Sequence, residues 1–342
     1  MIDVKYLVLR NNVECTRLIA DSETAAQVSM DNAAEIKMTL TGDFEMNDKV
    51  NTLTDRLQVI MHIDGTAHPL GKYVICSIEP QTTPAGRRVG SYTAYDLTYL
   101  VQGSKTEKRH YISAGTKYTD ALQNLLIESG ITDYIIEPSD ATIRTDREDW
   151  EPGTSRLTIC NDLLAEINYN SLWMDLQGTI RCSKYQQATA ENIVHSYSPG
   201  QYSMLYPETS QVIDTFNRAN VFIRVVEDAE NATPLRAESV NNDPDSTLST
   251  VNQLRRVVDY DTLDNIASQG ELQAYVDNLK FKSLLATTET TFSTGPNPVH
   301  QAFDVIALSF GPDSGIYAET SWSIDLSAPY KMQHKGKRVM IL

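Results

Sequence analysis

Between Phe292 and Leu326 the sequence reads FSTGPNPVHQAFDVIALSFGPDSGIYAETSWSIDL. Two alternating runs, Ala302–Phe310 and Ile316–Leu326, flank Gly311-Pro312-Asp313-Ser314-Gly315. A period of two puts successive side chains on opposite faces of a strand, and a Gly/Pro-rich gap turns the chain back. The segment predicts a long β-hairpin, and the rest of the chain must supply partners for it. In its first run Phe303, Val305 and Ala307 alternate with Ile306 and Leu308, so both faces carry apolar residues. That exceeds what a half-solvated sheet needs and predicts burial against a helix or a neighbouring chain. Trp322 and Trp173 are further candidate anchors for a contact between chains, an ordinary core tryptophan being the competing reading for Trp322. Nothing in the segment looks like a nucleophile, a metal ligand set or a phosphate cradle. The pattern is that of a scaffold.

The first hundred residues also read as sheet. Val4–Leu9, Glu14–Ile19, Glu35–Leu40, Arg56–Ile63, Tyr73–Ile78 and Gly90–Val101 are strand-like runs, and Asp64-Gly65 is a strong hairpin turn. Regular strands with turn residues between them suggest a small antiparallel barrel or sandwich. The character changes near Thr106. Tyr118, Leu122, Leu125 and Leu126 form a helical face within Thr116–Ser129, with Gly130 as a stop. Ile131–Ile136 reads as a strand, Asp140–Gly153 as an acidic loop, and Ser155–Asn168 as a second helix. A short hairpin, SLWMD and TIRCS around Gln177-Gly178, completes an α/β unit. Gln186–Pro207 reads as a polar connection, Phe216–Val226 as a strand and Asp228–Ser249 as a polar excursion. Ser268 and Glu271 are spaced as a capping box for a helix running to about Lys282. No repeat of the 20–50-residue kind is present.

At 342 residues the chain is long enough for about two or three domains. With 29 Lys and Arg against 45 Asp and Glu, the formal charge is −16, which argues against stable nucleic-acid binding because phosphate contacts need a basic face. Cys15, Cys76, Cys160 and Cys182 form no C-x-x-C pair and read as reduced core thiols. The N-terminus lacks a signal-peptide pattern, and no apolar run approaches the ~20 residues that span a bilayer. Synthesis and folding in the cytosol, without membrane insertion, are expected.

The constellations that could carry chemistry resolve into structure. Gly65–Lys72 superficially resembles a phosphate-binding loop, but it has five residues between its glycines and Tyr73 where Ser or Thr would hold magnesium. Gly311–Gly315 lies between two strands, so it offers no nucleophile elbow. His62, His68, His110, His195, His300 and His334 show no metal-ligand spacing and read as surface or rim residues; His62 and His68 lack a third ligand. The acidic groups Asp243/Asp245, Asp259/Asp261/Asp264 and Asp146/Glu148/Asp149 read as solvated loop charge, Trp150 beside the last being the only hint of a sugar cleft. Asn231-Ala232-Thr233 is a chance glycosylation match. No catalytic residue, cofactor or metal is expected.

Three segments resemble one family, the baseplate hub proteins of phage tails, tail-derived bacteriocins and contractile injection machines. They are EPGTS with NDLLAEINYNSLWMDLQGTIRC, then NNDPDSTLSTVNQLRRV, and finally PNPVHQAFDVIALSF with YAETSWSIDLSAPYKMQHKGKRVM. The resemblance implies two small tube-type antiparallel β-barrels joined by an α/β domain, in a mainly β (α+β) chain. The expected domains are 1–104 (N-terminal barrel), 105–186 (α/β, two helices and a hairpin) and 187–342 (second barrel with one capped helix). It further implies a non-enzymatic homotrimer in the virion tail. Its ring would meet a tail tube protein above and a central spike below, with other baseplate proteins and the tape-measure protein nearby. DNA could pass through the lumen without stable binding. Trp322, Phe303, Val305 and Trp173 are the expected assembly residues. The competing readings are a hub-like region of a tail-associated peptidoglycan hydrolase, which needs an appended catalytic module, and a carbohydrate-binding β-sandwich, which needs an exposed aromatic stripe.

Overall fold

The computed structural model describes the chain except residues 22–25, 85, 201–202, 214–217, 227–233, 264, 286–287 and 340–342. The Asn231 acceptor, Asp264 and the start of the run at Phe216 lie outside the described residues.

Seven strands come first: β1 (Ile2–Arg10), β2 (Val13–Leu18), β3 (Gln27–Asp31), β4 (Met38–Glu45), β5 (Arg56–Ile63), β6 (Thr66–Thr82) and β7 (Arg88–Asp96). They pair antiparallel in the order β2-β1-β5-β6-β7-β4-β3. The local turns explain the neighbours. Asn11 and Asn12 both take positive φ between β1 and β2, as do Asp64 and Gly65 between β5 and β6, the conformation that two-residue hairpins require. Arg10 reaches from β1 to clamp Asp55 with its Nε and Nη2, each at 2.8 Å, and the Asn51 amide adds a third donor at 2.9 Å. The run expected as a strand to Val101 stops at Asp96. There the carboxylate accepts from both the amide and the hydroxyl of Thr98, which bends the backbone into α1 (Thr98–Gly103).

The central unit follows: β8 (His110–Ile112), α2 (Tyr118–Glu128), β9 (Tyr134–Ile136), β10 (Arg147–Trp150), α3 (Arg156–Glu166), β11 (Trp173–Met174) and β12 (Ile180–Cys182). The expected acidic loop therefore contains β10, which pairs with β8. Helix α3 starts where the Ser155 hydroxyl accepts from the Thr158 amide at 3.0 Å. The apolar faces of both helices join the main core, which also holds β-sheet residues from Tyr6 to Met332. Gly71 on β6 donates its amide to Leu176 O at 2.9 Å. It does so at φ +105, where a side chain would press against Met174.

The last part comprises β13 (Ile193–Tyr197), β14 (Leu205–Ile213), β15 (Val221–Val226), β16 (Leu235–Val240), α4 (Thr250–Gln253), β17 (Val258–Leu263), α5 (Gln269–Leu285), β18 (Thr288–Thr294), β19 (Val305–Leu308), β20 (Gly315–Asp325) and β21 (Met332–Arg338). The polar stretches expected to be connections carry β13 and β16. Helix α5 packs on the small sheet β16-β15-β17 through Leu272 and Val276. Ser268 Oγ accepts from the Glu271 amide as expected, while the Glu271 carboxylate accepts from Asn168 Nδ2 at 2.6 Å. The hairpin of β19 and β20 forms around Gly311–Asp313, with a shorter first arm than its apolar run suggested.

The architecture is mainly β with an α/β unit, but no sheet among the described residues closes into a barrel. β20 is the reason. Its first residues pair with β19, and Ser321–Asp325 pair with Asp31–Gln27 of β3, so one ladder continues from β14 through β18, β21 and β20 into the N-terminal strands. The N-terminal strands curl until Ala20 bridges Phe44, a single link and not a ladder. Asn32 holds the changeover. Its amide donates to Thr320 O at 2.9 Å and its Nδ2 to Glu319 O at 2.8 Å, while its Oδ1 accepts from the Phe303 amide at 3.3 Å.

Asn32→Ala removes both side-chain bonds at the changeover and is expected to cost about 1–3 kcal/mol, read from urea unfolding; a change below about 0.5 kcal/mol would show that Asn32 does not hold it. The hydrogen bonds from Arg10 hold Asp55 down at about 2, below its ordinary value of 3.8. The associated stability is complete above about pH 4 and is lost as pH falls through 2. Asp55→Asn is expected to flatten that acid limb of an unfolding-versus-pH curve.

Candidate functional site

The densest polar cluster in the described core sits at the β20 changeover. Glu319 lies in β20 at the register shift before Ser321, with its side chain fully buried. His300, from the loop before β19, places Nδ1 2.7 Å from Glu319 Oε2. His334, on β21, places Nδ1 2.6 Å from Oε1. Both rings are fully enclosed. His195 of β13 stacks on His300 with centroids 3.9 Å apart, and its Nε2 lies 3.2 Å from Asp304 Oδ2. The reading of these histidines as surface or rim residues is therefore corrected for His300 and His334. Strand pairing gathers them from distant segments, which no short spacing reveals. One local signal existed: β21 alternates Met332, His334 and Gly336 on its inward face.

The outer atoms extend the network. Asn297 Nδ2 donates to the Tyr197 hydroxyl at 2.9 Å. That hydroxyl lies 2.6 Å from His300 Nε2, and His300 Nδ1 is hydrogen-bonded to Glu319, the roles following the tautomer. Thr294 Oγ1 has one proton, and Gly295 O, 2.7 Å away, can only accept it. His334 Nε2 lies 3.0 Å from Thr294 Oγ1, and which of the two donates follows the tautomer. A neutral imidazole has one N–H, so His334 Nδ1 either donates to Glu319 Oε1 or accepts a proton from it. At 2.6 Å the two atoms share one proton in a hydrogen bond. Burial drives every member toward its neutral form: it pushes His300 down to about 3, lowers His334, and raises Glu319 to about 7.

The other sequence candidates are dispersed. His62 and His68 sit on adjacent strands opposite Ala67 and Met61. Asp243 turns its own loop by accepting the Asp245 amide, and Asp259 pairs with Arg224 at 3.0 Å. Trp150 is buried, donates to Asp162 at 2.8 Å and stacks under Arg147, so it offers no exposed platform for a sugar. Arg147 in turn binds both oxygens of Glu166, at 2.7 and 2.9 Å. Cys15 is exposed, whereas Cys160 and Cys182 are buried thiols, a correction to the expectation of four core cysteines. Of the expected assembly residues, Trp322 and Val305 are buried within the chain. Phe303 and Trp173 are half-buried and meet edge to face at 6.1 Å. The two-sided run of β19 is covered by this chain's own residues, with Ile306 and Leu308 against Tyr317 and Phe292, and Val305 against Phe281 of α5.

No family model matches the sequence, and no curated protein matches it. Solved structures do. The fold is that of a class of phage tail proteins along nearly the whole chain. A tail protein from Neisseria meningitidis MC58 aligns with a TM-score of 0.70 at 13% identity, over 98% of this chain and 96% of that one. The 43 kDa tail protein of prophage MuSo2 from Shewanella oneidensis aligns with a TM-score of 0.68 at 9% identity, over 98% of both chains. The c3393 protein of E. coli, a type VI secretion component described as structurally similar to the T4 tail proteins gp27 and gp5, aligns with a TM-score of 0.51 at 8% identity. That alignment covers 99% of this chain and 75% of that one. The sequence resemblance and the fold likeness converge on phage tail proteins.

Tyr197→Phe leaves His300 Nε2 and Asn297 Nδ2 without their shared hydroxyl. A loss of about 1–3 kcal/mol is expected, measured by chemical denaturation with near-UV circular dichroism as a check on packing. An unchanged midpoint would show that the hydroxyl is not part of the network.

Proposed function

We propose that the chain is a non-enzymatic baseplate hub component of a phage or phage-like tail, three copies closing into a ring between the tail tube and the central spike. The whole-length fold likeness to phage tail proteins carries this reading. Two features of the surface support it. Among the described residues β14 pairs on one side only, with β18, and leaves an open edge that exposes Tyr206, Val212 and Ile213. β13, which among the described residues pairs only with β19, exposes Val194. Open strands with exposed apolar residues invite pairing with another chain, and a cyclic ring satisfies every such edge in turn. Phe303 and Trp173 line a cleft of about 420 Å³ and are the expected anchors with surface left to offer a neighbour. Trp322 and Val305 contribute to assembly by holding the wall in shape.

The charge of −16 fits a conduit. A lumen of negative potential repels DNA and lets it slide. A cryo-EM ring with a lumen lined by Lys and Arg would overturn that part of the reading. The tail tube protein, the spike, other baseplate proteins and the tape-measure protein are the partners in this arrangement, within the virion tail after synthesis in the host cytoplasm. The three domains at 1–104, 105–186 and 187–342 remain the proposed units, each half of the sheet acting as a tube-type wall segment.

The mass in solution or in a reconstituted baseplate tests the reading. Three copies per ring are expected, around a channel of roughly 30–40 Å that clears a DNA duplex. Val212→Lys together with Ile213→Lys is expected to abolish ring closure while changing stability by less than about 0.5 kcal/mol, because both side chains are exposed. A variant that still closes would remove β14 from the interface, and a particle lacking any ring of this chain would sink the hub assignment.

A further inference from the structure

Three imidazole nitrogens and two carboxylates converge at the β20 changeover. The ligating atoms of His300, Glu319 and His334 all lie within 4.8 Å of one another, as do those of His195, His300 and Asp304. The two sets share His300, whose Nδ1 is 2.7 Å from Glu319 and 3.9 Å from Asp304. We propose that His300, His334 and Glu319 bind one divalent transition-metal ion of the zinc class, with Asp304 as the fourth donor on the solvent side and His195 holding the Asp304 carboxylate.

Charge balance is the first argument. Asp304 and Glu319 face histidines, and among the described residues neither forms an ion pair with lysine or arginine. A buried carboxylate needs a counter-charge. A divalent cation supplies one to both carboxylates. The second argument is orientation. Metal-bound histidines fix their rings through the other nitrogen. Here His334 Nε2 is held by Thr294 Oγ1 at 3.0 Å and His300 Nε2 by the Tyr197 hydroxyl at 2.6 Å, so both Nδ1 atoms are aimed at one place. Asp304 Oδ2 is itself steadied by the Gln301 amide at 2.8 Å.

The donor chemistry names the metal class. Imidazole nitrogen with carboxylate oxygen, and no thiolate, suits zinc and its neighbours rather than calcium or magnesium. Bonds of about 2.0–2.1 Å in a tetrahedron set donor atoms about 3.3 Å apart. Loading therefore spreads the His–Glu contacts and displaces the protons that both Nδ1 atoms share with Glu319. Asp304 and His195, each with 15% side-chain exposure, form the side from which an ion arrives. The ion would tie β13, the loop before β19, β20 and β21 together. The role assigned to the ion is structural and does not depend on the hub reading.

The test uses the full chain purified without chelator. Metal content by mass spectrometry, zinc titration of the stripped protein against a chromophoric chelator, and the visible spectrum of the cobalt form are the three readouts. One ion per chain is expected, with a cobalt spectrum of nitrogen and oxygen ligands and a raised Tm on loading. Asp304→Asn and His334→Gln are each expected to weaken zinc binding at least about tenfold, while His68→Gln leaves it unchanged. Should His334→Gln fail to fold, Asp304→Asn and His195→Gln decide the question at their more exposed positions. Absence of stoichiometric binding at ~100 µM zinc, far above structural-site dissociation constants, overturns the proposal. Equal binding by the parent, Asp304→Asn and His195→Gln overturns it as well.

Discussion

The fold depends on β20 satisfying three partners at once. One side pairs with β21 along most of its length; the other gives its first residues to β19 and its last to β3. Unpaired backbone groups in a core cost as much as lost hydrogen bonds, so the place where the partner changes needs another source of donors. Asn32 supplies them to Glu319 O and Thr320 O. This single residue in the β3–β4 turn lets a ladder built from the first residues of the chain continue into one built from the last.

The same changeover explains why a carboxylate can sit in the core. A register shift between Glu319 and Ser321 turns the Glu319 side chain inward among rings from β13, β21 and the loop before β19. Phe292 stacks on His334 at 4.7 Å and excludes water, which raises the stakes for every polar atom inside. Hydrogen bonds run from Asn297 through Tyr197 and His300 to Glu319, and from Glu319 through His334 to Thr294, so every polar atom of the joint has a partner from another element.

Much of this could be read from residues alone. The β5–β6 hairpin follows from Asp64-Gly65, α3 from Ser155 and its apolar spacing, and the β19–β20 hairpin from alternation across Gly311–Gly315. The failures share a cause. β13 was hidden because IVHSY mixes polar and apolar residues and pairs in parallel with a strand more than a hundred residues away. Thr98–Val101 looked like strand because the Asx turn at Asp96, a side-chain effect, outweighs β propensity there. The histidines looked superficial because their partners arrive from other elements. The two-sided apolar run of β19 pointed to a helix or a neighbouring chain, and within the chain Tyr317, Phe292 and Phe281 of helix α5 pack against it.

By itself the sequence determined the short-range grammar: which runs are strands, where hairpins turn, which helices present apolar faces, and a resemblance to phage tail hubs. Those features rest on periods of 2 and 3.6 and on turn chemistry, which act over a few residues. Only the tertiary structure decided which strand edges meet, that the two halves share β20 instead of closing separately, and that His300, His334 and Glu319 share one buried volume. Backbone pairing carries little sequence identity of its own, so the choice among edges is made by burial over the whole chain. A buried polar group is intelligible only when its distant partners are in place.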